Sequence, residues 1–138
     1  MKVRCIATHL TSEQAAAIGG RWPKTEFGLR LGKDYAVIGL TFSVESAGFG
    51  CGTWLHLEAD ETGEVPGILV APVQLFEIID PRASSLWTIR ATGPEVSLLP
   101  PAFQRPFFHD DLSAGRQDAI NDFEEAIRQL QSEQQRQL

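Results

Sequence analysis

Between residues 34 and 90 the chain is a succession of short, β-favouring segments set apart by turn signals, with no helical pattern between them. Asp34-Tyr35-Ala36-Val37-Ile38-Gly39-Leu40-Thr41-Phe42 is rich in β-branched and aromatic residues and follows a Gly32-Lys33 turn. Thr53 to Glu58 alternates, so Trp54 and His56 face away from Leu55 and Leu57. Gly67 to Ala71 is a short apolar strand stopped by Pro72, Leu75 to Asp80 is the next, and Leu86 to Arg90 another. Gly48 to Gly52 reads as a hairpin loop and Asp60 to Gly63 as a polar turn. A parallel sheet would need crossover helices between its strands, and this stretch has none. The spacing therefore predicts a small antiparallel sheet, curled or closed into a barrel.

The flanks add two helices. Val3, Cys5 and Ala7 alternate with polar residues as a first strand. Thr11 and Gln14 then have capping-box spacing, Ala15 to Ile18 favours helix, and Gly19 is placed to end it; Trp22-Pro23 starts a connector. Near the C-terminus Ile120, Phe123, Ile127 and Leu130 recur at spacings of three and four on one helical face, from a start near Ser113 or Gln117. Glu124 and Arg128 are spaced as an i,i+4 ion pair. Residues 131–138 are polar all round and read as a frayed tail, which leaves residues 1–130 as a single domain. The fold class is α+β, mainly β. Between sheet and helix, three prolines in Pro100 to Phe108 forbid a regular helix and predict an extended aromatic strap that lays Phe103, Phe107 or Phe108 over an open end of the core.

With 138 residues there is room for one core and little more. The net charge of −6 disfavours a binder of duplex nucleic acid, which gains affinity by neutralising phosphates with Lys and Arg. No apolar run approaches the ~18 residues of a membrane span, and no apolar stretch follows the basic residues of Met1 to Ile6 as in a signal peptide, so the expectation is a cytoplasmic protein. Cys5 and Cys51 lack zinc-site spacing; Cys5 reads as a small buried hydrophobe, and a disulfide is not expected.

Motifs for chemistry are sparse. His9, His56 and His109 do not form a ligand pair on any helical face. His56, on the polar side of its strand, is expected in solvent. His109 stands beside Asp110 and Asp111, a base next to two carboxylates, but acidic residues are also usual before a helix. No serine is framed as a nucleophile elbow, and the glycines of residues 48–52 lead into neither a Lys-Ser or Lys-Thr pair nor a helix. No cofactor or metal is expected.

Phe27 to Leu40, Trp54 to Leu57, Pro72 to Arg82 with Trp87, and Phe107 to Leu112 together resemble a family of small bacterial proteins with a G-K-x-Y strand, an L-F-E-I-I-D-x-R block followed by Trp, and a later segment of roughly F-[FY]-x-D-L. The resemblance spans residues 27–125; its more specific part is Asp80, Arg82, Ser84 or Ser85, and Trp87. The middle of the pattern is also similar to Src-homology-3-like barrels. Similar small proteins look like members of bacterial toxin–immunity repertoires, and the resemblance implies a protein that binds and neutralises a toxin. Three readings follow. The first is a protein-binding module, with Arg82, Trp87, Phe103, Phe107, Phe108, His109 and Asp110 as candidate partner-binding or structural residues. The second is a small-ligand protein or enzyme with a pocket between barrel and helix, using Arg82, Trp87, His109 and Asp110. The third is single-strand nucleic-acid binding on Tyr35, Phe49 and Trp54. Arg82 is expected to lock its turn onto the Trp87 strand or onto Phe107 to Leu112.

Overall fold

A computed structural model of the chain describes residues 1–19, 26–44, 51–59 and 65–136. The sheet runs β1 (Lys2–Cys5), β2 (Asp34–Ser43), β3 (Gly52–Glu58), β4 (Ile68–Pro72), β5 (Phe76–Asp80), β6 (Thr88–Thr92) and β7 (Glu95–Leu99). Helix α1 (Ser12–Ile18) follows β1, and α2 (Phe108–Ser113) and α3 (Gln117–Arg136) end the chain. Every pairing is antiparallel, in the order β4-β3-β2-β1-β5, with β7 added to β2 and β6 to β7. The sheet is curled but not closed, so the open alternative holds and the complete barrel does not. The Trp22-Pro23 connector, the Asp60 to Gly63 turn and most of the Gly48 to Gly52 loop lie outside the described residues.

Strand β2 is the spine. Its residues Asp34 to Ala36 pair with β1, and Leu40 to Ser43 lie between β3 and β7. A bulge between Val37 and Gly39 changes the pleat parity. Tyr35, Val37 and Leu40 therefore share one core with Val3, Leu55, Leu57, Ala71 and Leu75, while Ile38 enters a second. This second core lies under the C-terminal helices and contains Leu99, Phe103, Phe108, Leu112, Ala119, Phe123, Ala126 and Leu130. At Gly39 a Cβ would stand 2.3 Å from Leu99 Cδ2 and 2.6 Å from the Leu98 carbonyl oxygen, so only glycine fits.

Helix α1 carries the full capping box: Gln14 N–H donates to Thr11 Oγ1 at 3.1 Å, and Thr11 N–H to Gln14 Oε1 at 2.9 Å. The strap is not extended. Pro101 to Gln104 form a 3-10 turn, in which a proline fits because its missing N–H would have no partner there anyway. The separate helix α2 begins at Phe108, where the sequence pattern showed only a strap end. In α3 Phe123 and Leu130 of the predicted face are buried, but Ala119, Ala126 and Glu133 complete the stripe in place of Ile120 and Ile127, which flank it half-buried. Small alanines let the helix lie close to its neighbours. Arg128 pairs with Glu125 at i,i+3. The helix also continues through the polar segment to Arg136, so residues 131–136 are helical where a frayed tail was expected. The reason is Glu133, which is anchored to the segment before β6.

Candidate functional site

Most of the aromatic and polar residues singled out by the sequence serve the fold. Phe103 stacks on Phe108 with ring centroids 4.5 Å apart, and on Phe123 at 6.0 Å. Phe107 is the exception: it stands 74% exposed at φ 62°, a backbone conformation that turns Phe108 inward. Trp87 lies just before β6, and its indole N–H donates to the Ile38 carbonyl at 2.6 Å, taking up a group left by the bulge. Arg82 closes its fork on Asp80, with Nε 2.8 Å from Oδ1 and Nη2 2.6 Å from Oδ2, while its own N–H donates to Oδ1 at 3.1 Å. The lock is thus made within the Asp80-Pro81-Arg82 turn, and the guanidinium holds the Asp80 carboxyl well below the usual carboxylate range. Arg82 also lines a cleft of about 400 Å³ with Lys2, Ile79, Asp80, Gln131, Gln134 and Gln135. Asp110 lies in the first turn of α2.

His56 is buried, 7% exposed, not in solvent. The sequence reading put it on the polar side of β3, which is correct, but that side is covered by the C-terminal helices. Its Nε2 meets Thr41 Oγ1 at 2.8 Å, Thr41 Oγ1 is 3.3 Å from Ser97 Oγ, and the His109 ring lies 5.9 Å away, centroid to centroid. Burial first, and the His109 charge second, push the His56 pKa down to about 4. Burial also lowers that of His109, against the pull of Asp110. Among the described residues, His56 Nδ1 has no hydrogen-bond partner. Among the described residues no group of His, Cys, Asp and Glu could hold a metal ion.

Arg82, Trp87 and His109 thus have three separate settings: a turn carboxylate, a bulge carbonyl and a buried histidine. Tyr35 and Trp54 belong to the core and cannot serve as a stacking platform, and Phe49 lies outside the described residues.

The sequence reading missed two features. Glu133 accepts from Ser84 Oγ and Ser85 Oγ, each at 2.6 Å, and from Ser85 N–H at 2.7 Å. Burial alone would raise its pKa; the three hydrogen bonds outweigh that and lower it. The second is strand β7, joined to β6 by a two-residue Gly93-Pro94 loop with Gly93 at φ 57°. Glycine flanked by alternating segments was the signal that could have revealed it.

The β6–β7 hairpin carries an inverted pattern. Its polar side, with Arg90, Thr92, Glu95 and Ser97, faces Phe103, Gln104 and Arg105 across a cleft of about 260 Å³. Its apolar side faces outward. In register, Ile89 lies beside Leu98 and Leu98 beside Leu40, a row that runs from solvent into the first core. The next row, Ala91, Val96 and Phe42, is exposed throughout. Ile89 is 74% exposed, and Val44, just past β2, 77%. An isolated exposed apolar residue is ordinary, but adjoining rows on one sheet face form a patch of the kind that marks a docking surface. No family model, no curated protein and no solved structure matches this chain.

Proposed function

We propose that this chain is a protein-binding module that meets its partner through the outward apolar face of β6, β7 and the end of β2. The observation that supports this reading is the hairpin's apolar side, which turns Ile89, Ala91 and Val96 to solvent, while its polar residues line the cleft opposite Phe103, Gln104 and Arg105. Burying such a face contributes roughly 25 cal/mol per Å² of apolar area, a gain that is unused in the isolated chain. The resemblance to immunity proteins supplies the finer reading, a cytoplasmic antidote to a bacterial toxin, acting by binding rather than by catalysis. No helix among the described residues is long and apolar enough to cross a membrane.

The test is co-expression with the products of the genes flanking its own. One product should co-purify with the chain. Ile89→Asp should release it while leaving the circular dichroism and the melting temperature of the free chain unchanged. Co-purification that survives this substitution would reject the surface. If the captured product arrests growth when expressed alone and not when co-expressed, the antidote reading gains its support.

A further inference from the structure

Strand β6 is paired on one side only: among the described residues its partner is β7. The loop of the hairpin fixes which groups face outward. In a two-residue hairpin the closing pair, here Thr92 and Glu95, exchanges hydrogen bonds, and bonded and non-bonded pairs then alternate. Thr92, Arg90 and Thr88 therefore turn their backbone groups to β7. Ile89 and Ala91 turn their N–H and C=O groups to the open edge. The same two residues carry the side chains of the exposed apolar face, while Arg90, on the opposite face, donates to the Gln104 carbonyl and lines the cleft with Arg105.

We propose that this edge takes up an extended segment of a partner protein as an added antiparallel strand, with an acidic side chain opposite Arg90 and apolar side chains opposite Ile89 and Ala91. The inference rests on the protein-binding reading above and adds the chemistry of the partner. A second copy of the chain is disfavoured by charge. The self-paired register that engages Ile89 and Ala91 of both copies puts Arg90 directly against its own counterpart. It does so in a non-hydrogen-bonded pair, where side chains come closest and like charges repel. A carboxylate in that position meets the Arg90 guanidinium; the other guanidinium of the cleft, Arg105, is already paired with Asp122. Edge addition takes its affinity from main-chain hydrogen bonds and its specificity from alternate side chains, which here read apolar, acidic, apolar.

The experiment is an NMR titration of the whole chain with a short capped peptide alternating valine and aspartate, and with a twin alternating valine and lysine. The aspartate peptide should shift the Ile89 and Ala91 amides and slow their hydrogen exchange. It should bind about three- to tenfold tighter than the lysine peptide, as swapping a like for an opposite cross-strand charge implies. Arg90→Glu should invert that preference, which a purely structural role for Arg90 would not do. Unshifted Ile89 and Ala91 amides at millimolar aspartate peptide would overturn the proposal, and so would equal binding of the two peptides. If the edge amides stay unprotected while Ile89→Asp still releases a co-expressed partner, strand addition fails and the docking face stands. If neither effect occurs, both readings fall.

Discussion

His56 should make the protein lose stability as the pH falls from neutrality, and the size of the loss follows from its burial. In the folded chain its pKa is about 4, against 6.5 for an unperturbed histidine. Between these values the unfolded chain binds a proton that the native chain refuses, so stability rises with pH across this window and is lost on acidification. At pH 4.5 the difference amounts to roughly 2–3 kcal/mol, since each pKa unit is worth about 1.4 kcal/mol. For a domain of this size that lowers the melting temperature by on the order of 10 °C. The assay is urea unfolding in steps from pH 7.5 to pH 4.5, for the wild type and for His56→Gln. Glutamine can keep a hydrogen bond to Thr41 and cannot titrate. The variant should start less stable, from imperfect packing, and its curve should be flatter. His109, whose pKa is lowered in the same direction, leaves a smaller slope in both proteins. Parallel curves for the two proteins would refute the reasoning, because the slope could not then come from His56.

The other predictions concern single contacts. Glu133→Gln should cost about 1–2 kcal/mol at pH 7, since a charged acceptor of three hydrogen bonds becomes a neutral one. The difference should shrink below about pH 4.5, the ordinary glutamate value, because a group with a lowered folded pKa loses its contribution as it protonates. Thermal melts of the two proteins at pH 7 and pH 3.5 would measure both effects. Gly39→Ala should destabilise by about 1–3 kcal/mol through overpacking against Leu99 and the Leu98 carbonyl, read as a lower urea midpoint at unchanged slope. Phe107→Gly should raise stability by about 0.5–1 kcal/mol in the same assay. It removes a non-glycine residue from left-handed backbone at the loss of little buried surface.

Local chemistry was legible in the sequence wherever it acts over a few residues. The Thr11–Gln14 cap, the β-branched run of β2, the Pro72 stop of β4 and the end of β5 at Asp80 follow from propensity and turn residues, and they stand in the structure. The antiparallel class followed from the absence of crossover helices. Alternation also placed His56 and Leu55 on opposite faces of β3. It could not say that both faces are covered, because that depends on where residues 101–136 pack; this is why His56 is buried and not in solvent. Nor could helical periodicity reveal that Glu133 belongs to the buried stripe of α3. A carboxylate is stable there only because Ser84 and Ser85, 49 and 48 residues away, bring their donors to it. The exposed face of the β6–β7 hairpin has the same origin. An alternating strand specifies that one side is apolar, and only the tertiary arrangement, which sets the polar side over the cleft at Phe103, Gln104 and Arg105, decided that the apolar side of β6 would face the solvent.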